Sequence, residues 1–85
     1  MTYSVIWKSQ AKRDLACLDG ATRIRILRAV INLETNPRPL GSKKMHGPSE
    51  SWRIRSGDYR ILYTIEDDRL VVLVIKIGHR REVYR

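Results

Sequence analysis

The chain has 85 residues, enough for one compact domain and too few for two independent hydrophobic cores. Its 17 Lys and Arg residues exceed its 9 Asp and Glu residues, and the net charge of +8 points to an anionic partner. One cysteine excludes a disulfide framework, and no apolar run is long enough to span a membrane. We therefore expect a single domain over residues 1–85, in the cytoplasm and without a membrane partner. Cys17, which has apolar neighbours, is expected in the core.

The first half of the chain predicts a strand and two helices. Residues 3–7 are β-branched and aromatic, as in a short strand. Ser9 is the type of residue that caps a helix, and apolar residues then recur at spacings of four and three through residue 18. Asp19-Gly20 interrupts this pattern, and a longer helical pattern follows up to Asn36-Pro37. The short break predicts an antiparallel helical hairpin.

The second half predicts a sheet. Residues 37–51 are rich in turn-forming residues, with a short strand expected at residues 43–45, and three strand patterns follow at residues 52–56, 59–65 and 70–77. The last is apolar almost throughout, as in a central strand, and residues 78–85 are expected to be irregular or briefly helical. The order β-α-α-β-β-β predicts an α+β domain in which the helical hairpin covers one face of a mainly antiparallel sheet. We expect the functional site on the other face of the sheet, which the helices leave uncovered.

Three arginines are predicted to share that open face. Gly57-Asp58 has the composition of a two-residue hairpin turn, which places Arg55 opposite Arg60 and Arg53 opposite Leu62. Because strand side chains alternate, the three arginines point away from the helices. The residues expected to face the helices are Trp52, Ile54, Ile61 and Tyr63. Like charges directly opposed cost up to about 1 kcal/mol, so a bound polyanion explains the pattern better than folding alone. The alternative is that the arginines only bend into solvent.

Two motifs carry a family resemblance. The segments WRIRSGDYRILY at residues 52–63 and GHRREVYR at residues 78–85 resemble the RelE branch of the RelE/ParE toxin superfamily, and the predicted element order matches along essentially the whole chain. The resemblance implies a RelE-like toxin of a type II toxin–antitoxin system. It further implies a metal-independent endoribonuclease that cuts translated mRNA in the ribosomal A site, using the 2′-hydroxyl of the RNA.

The resemblance also implies five catalytic residues: Arg53, Arg55, Arg60, Arg80 and Tyr84. Arg60 matches the arginine that holds the scissile phosphate, and Arg80 matches one near the leaving oxygen. Tyr84 matches a C-terminal aromatic hydroxyl. Arg53 and Arg55 occupy positions where several family members carry lysine, and an arginine stays protonated at neutral pH. Both are therefore expected to stabilise charge and not to accept a proton.

The sequence does not decide which residue accepts the proton of the 2′-hydroxyl. Tyr84 is the candidate that the family supports, and His79 is a second candidate, although a histidine at such a position is more often a plain loop residue. Lys43, Lys44 and Arg81 are expected to contact RNA phosphates. The sequence lacks a plausible carboxylate cluster or a His/Cys set, so no metal or other cofactor is expected, and residues 66–68 are interpreted as an acidic turn.

The family also implies partners. These are an acidic, RelB-like antitoxin, the ribosome with its mRNA, and operator DNA only through the antitoxin complex. Two alternatives remain: a ParE-like inhibitor of DNA gyrase, which shares the fold and much of the hairpin motif, and a non-catalytic basic module that binds nucleic acid.

Overall fold

The computed structural model describes residues 2–45 and 51–79. Within them the chain forms two helices and five strands in the following order: β1 Ser4–Trp7, α1 Ser9–Ala16, α2 Gly20–Asn32, β2 Lys43–Lys44, β3 Ser51–Ser56, β4 Tyr59–Glu66 and β5 Val71–His79. The predicted α+β class and element order are confirmed, and the short strand expected at residues 43–45 is present as β2.

All five strands belong to one sheet, with the strand order β1-β5-β4-β3-β2. The three pairs from β5 to β2 are antiparallel, whereas β1 runs parallel to β5. The parallel pair requires a crossover, which α1 and α2 help to supply. The apolar strand β5 lies between β1 and β4, as its composition predicts. A register shift between Leu62 and Tyr63 interrupts the pairing of β4 with β5.

The core lies between the helices and one face of the sheet. α1 packs on β5 and α2 packs against β3. The buried apolar residues are Ala11, Ile26, Val30, Leu33, Ile54, Ile61, Tyr63, Val72, Val74 and Ile77. Burying a large aliphatic side chain contributes roughly 1.5–3 kcal/mol, so this layer accounts for much of the folding free energy. The opposite face of the sheet carries no helix in the described part of the chain.

The corner between the helices is held by polar contacts. Asp19 caps α2: its carboxylate accepts from the Thr22 hydroxyl at 2.6 Å and from the Thr22 amide at 3.2 Å, and these bonds lower the pKa of Asp19. The Arg23 guanidinium donates to the carbonyls of Leu18 at 2.8 Å and Leu15 at 3.3 Å, beyond and within the last turn of α1. Arg23 is therefore a structural residue that closes the hairpin.

Three local expectations were wrong. Ser9 is the first residue of α1 and Lys8 is its N-cap, without a side-chain cap. Cys17, the C-cap of α1, is exposed, because it lies off the helical stripe of Ala11 and Leu15 that packs on the core. Gly78 and His79 belong to β5 and not to an irregular tail, because both pair with β4.

Neither helix in residues 2–45 and 51–79 has the length and apolar character needed to cross a membrane.

Candidate functional site

The β3–β4 hairpin has the predicted register. Arg55 lies opposite Arg60, Arg53 lies opposite Leu62, and Gly57 in the turn has a φ of 61°. The alternate residues of both strands are buried against the helices. The three arginines therefore project from the open face of the sheet, as the alternation predicts.

These arginines line one cavity of about 210 Å³, together with Gly41 and Lys43. Arg53 and Arg60 are partly buried, whereas Arg55 is exposed and donates from Nε to the Gly57 carbonyl at 3.0 Å. Among the described residues that line the cavity, four carry a cationic side chain and none is a carboxylate. Guanidinium groups bind phosphate oxygens in a bidentate manner, so the cavity is suited to a phosphate group.

The two lysines of β2 are separated by the sheet. Lys43 lies opposite Arg53 and lines the cavity, whereas Lys44 lies opposite Trp52 on the other face. The sequence predicts RNA contacts for both lysines and does not distinguish them. Because side chains alternate along a strand, these adjacent lysines must lie on opposite faces. Which of them lies beside Arg53 depends on the register of β2 on β3, and the local sequence does not give that register.

Gly41 also lines the cavity, although no pattern in the sequence predicts this role. It has a φ of 93°, a conformation that favours glycine, and it lies two residues before Lys43. The loop that leads to it is anchored by Tyr63, whose buried hydroxyl donates to the Pro37 carbonyl at 2.7 Å. Burial raises the pKa of Tyr63 to about 12.

A second anchor holds the same loop at the far end of the sheet. The Arg38 guanidinium donates to both carboxylate oxygens of Asp67, at 2.8 and 3.1 Å, and its charged carbon lies 5.2 Å from the ring centroid of Trp52. The Tyr3 hydroxyl also donates to Asp67, at 2.7 Å. The bonds from Arg38, and then from Tyr3, hold the pKa of Asp67 at about 2. These contacts position the chain that leads into β2.

His79 is not brought to the arginines. It pairs with Tyr59, and the two rings meet edge to face with centroids 5.7 Å apart. It lines a different cavity, between α1 and the end of β5, with Asp14 and Cys17 among its walls. Tyr59 lies on the helix-facing side of β4, two residues before the buried Ile61. His79 therefore lies on the helix-facing side of the sheet, opposite to the face that carries the three arginines.

Arg80, Arg81 and Tyr84 lie outside the described residues. Gly78, near the end of β5, pairs directly with Arg60. The predicted acidic turn after β4 is present: Glu66 forms an ion pair with Arg69 at 3.3 Å, and Asp67 with Arg38. In residues 2–45 and 51–79, no three His, Cys, Asp or Glu side chains are grouped so that they could hold a metal ion.

Comparison with known proteins identifies the family. The model of the ParE toxin of type II toxin–antitoxin systems matches residues 5–84. The chain belongs to the RelE/ParE toxin superfamily. It is similar to Toxin RelG of Mycobacterium tuberculosis, with 32% identity over 90 residues that cover 100% of this chain and 99% of the relative. It is also similar to the mRNA interferase toxin RelE of Escherichia coli, with 28% identity over 99% of this chain and 92% of the relative.

Solved structures agree with this assignment. The archaeal RelE-RelB complex from Pyrococcus horikoshii superposes with a TM-score of 0.84 at 30% identity, over 96% of this chain and 99% of the matched chain. The toxin–antitoxin complex RelBE2 of Mycobacterium tuberculosis superposes with a TM-score of 0.81 at 27% identity, over 94% and 100%. The RelE-like fold expected from the two motifs is thus confirmed, and the chain is a RelE-like toxin of the type II class.

Proposed function

We propose that this toxin is a metal-independent endoribonuclease that cuts translated mRNA in the ribosomal A site. The observation that carries the proposal is the set of four cationic side chains around one cavity on the open face of the sheet: Lys43, Arg53, Arg55 and Arg60. Support also comes from the relative in Escherichia coli that is named an mRNA interferase.

The arginines suit a reaction in which the RNA supplies its own nucleophile. The 2′-hydroxyl attacks the adjacent phosphorus and loses its proton, the bond to the 5′-oxygen breaks, and that oxygen takes up a proton. The products are a 2′,3′-cyclic phosphate and a 5′-hydroxyl. Negative charge builds on the phosphoryl oxygens in the transition state, where Arg53, Arg55 and Arg60 would stabilise it. Removing one such donor costs about 10²–10³-fold in rate in comparable sites.

The proton acceptor is assigned to Tyr84. Within residues 2–45 and 51–79, no side chain that lines the cavity is a carboxylate or an imidazole, and the arginines stay protonated. The family resemblance supports Tyr84 for this role and Arg80 for stabilising the leaving oxygen. Lys44 and Arg81 are assigned to contacts with ribosomal RNA.

The proposed inhibitor is an acidic, RelB-like antitoxin. The structures from Pyrococcus horikoshii and Mycobacterium tuberculosis are toxin–antitoxin complexes, and the net charge of +8 complements an acidic chain. Operator DNA would be bound only through that complex, in the cytoplasm where translation takes place. An acidic product of the neighbouring reading frame should co-purify with the toxin and suppress cleavage.

Primer extension on a message translated by purified ribosomes tests the activity. We expect cuts that follow the reading frame with the wild-type toxin and none with Arg60→Ala or Arg80→Ala. Arg28→Ala is the matched control, since Arg28 is an exposed arginine on α2.

Three outcomes would contradict the proposal. Inhibition of DNA gyrase with intact message would indicate a ParE-like activity. Binding of RNA without any cleavage would indicate a non-catalytic module. Cleavage of free RNA at the same rate as ribosome-bound message would show that the reaction does not require the ribosome.

A further inference from the structure

A line of directly opposed residues crosses the open face of the sheet. Lys43 on β2 pairs with Arg53 on β3, Arg53 pairs with Leu62 on β4, and Leu62 pairs with Lys76 on β5. We call these four residues the cationic row. Neighbouring strands lie about 4.8 Å apart, so the row spans about 14 Å from its first to its last residue.

Lys76 lies at the end of this row and faces outward. The next residue, Ile77, is buried and pairs with the buried Ile61, so Lys76 and its partner Leu62 point to the open side. Lys76 is partly exposed and lies outside the cavity wall. Within the described residues it forms no hydrogen bond or ion pair through its ammonium group. Its charge is therefore available to a ligand.

The charges on the rest of the open face favour one direction for a bound anionic strand. One step along the strands from the cationic row lies a row without charge, made by Thr64, Leu73 and Ile6. One step further lies Glu66. The row on the opposite side of the cationic row holds Arg55 and Arg60, which line the cavity. From the cavity, a chain of phosphates that continues along the strands towards Glu66 meets this carboxylate, whereas one that continues across the strands meets Lys76. The favourable path therefore runs across the sheet from β2 to β5.

We propose that Lys76 is a second phosphate contact that positions single-stranded RNA on this toxin. One phosphate lies in the arginine cavity, a neighbouring phosphate lies on Lys76, and Leu62 between them provides an apolar surface for the intervening nucleoside. This inference rests on the proposed function in taking RNA as the ligand. Lys76 is a positioning residue and takes no part in the chemical step.

Salt-dependent binding tests the contact without requiring cleavage. The probe is a fluorescent single-stranded oligonucleotide with 2′-O-methyl groups, which cannot supply the nucleophile. For single strands, the slope of log K against log salt changes by about 0.7 for each phosphate neutralised. We expect Lys76→Met to reduce the slope by about 0.7 and Lys76→Arg to retain it. Lys12→Met, at an exposed lysine of α1, is the matched control, and thermal melting checks that each variant folds.

A second readout separates positioning from chemistry. In the ribosomal assay, Lys76→Met should raise KM and leave kcat unchanged, as expected when a contact is equally strong in the ground state and the transition state. An unchanged salt slope for Lys76→Met, or no binding by the wild-type chain, overturns the proposal, and an equal fall in kcat and kcat/KM overturns the positioning role. A reduced slope in a toxin that never cuts RNA supports the Lys76 contact while refuting the nuclease, so the two failures are distinguishable.

Discussion

Arg55 lies directly opposite Arg60 across the antiparallel strands β3 and β4, and both line the same cavity. Such a pair opposes folding by up to about 1 kcal/mol. The neighbouring pair Ile54 and Ile61 is buried on the other face of the same strands and favours folding. One face of the hairpin therefore supplies stability, and the other presents positive charge at the expense of stability.

The first prediction follows from this division. Arg55→Gln should keep the free energy of unfolding within about 1 kcal/mol of the wild-type value, because the loss of cross-strand repulsion offsets the lost bond to Gly57. Cleavage in the ribosomal assay should fall by about 10²–10³-fold. Denaturant unfolding and primer extension measure the two effects, with Arg28→Gln as the control. A loss of several kcal/mol would show instead that Arg55 is structural.

The second prediction separates the adjacent lysines of β2. Lys43→Gln should weaken binding of the single-stranded oligonucleotide and reduce its salt slope by about 0.7, because Lys43 lines the cavity. Lys44→Gln should leave both unchanged, because Lys44 lies opposite Trp52 on the other face. The two variants have the same charge and differ by one position. Equal effects would refute the assignment of the cavity as the binding surface.

The third prediction concerns the hydroxyl of Tyr63. Tyr63→Phe should lower the free energy of unfolding by about 1–3 kcal/mol, because the buried carbonyl of Pro37 loses its donor. Oligonucleotide binding should weaken as well, because this bond anchors the loop that carries Gly41 and Lys43 to the cavity. Urea unfolding and anisotropy measure the two effects. Unchanged stability would show that another donor satisfies the carbonyl.

The same hydroxyl predicts a response to alkali. The pKa of Tyr63 is raised by burial from 10.0 in an unfolded chain to about 12 in the folded protein. Its contribution to stability is therefore complete below pH 10 and is lost as the pH rises towards 12. The stability difference between wild type and Tyr63→Phe should shrink across this interval. A constant difference would contradict the raised pKa.

The fourth prediction concerns acid. The pKa of Asp67 is lowered from 3.8 to about 2 by its bonds from Arg38 and Tyr3. The ion pair therefore contributes to stability above pH 4, and the contribution is lost as the pH falls towards 2. Asp67→Asn should melt at a lower temperature than wild type at pH 6, and the two melting temperatures should converge near pH 2. The effect should be small and reduced by salt, because both side chains are about half exposed.

The amino-acid sequence by itself determined the features that depend on neighbouring residues. The Gly57-Asp58 turn sets the register of β3 on β4, and alternation then places Arg53, Arg55 and Arg60 on one face. Both rules act over a few residues, so they hold before the rest of the chain is placed. Family resemblance added Arg80 and Tyr84, which remain predictions.

Only the tertiary structure decided what depends on residues far apart in the chain. Lys43 reaches the arginines because β2 pairs with β3 in one register, and a shift of one residue would have brought Lys44 there instead. His79 faces α1 because β5 continues past Ile77 and pairs with Tyr59. The position of Lys76 on the open face depends on the pairing of β5 with β4 and on the register shift within that pair. Packing between distant segments sets these positions, and no local pattern encodes it.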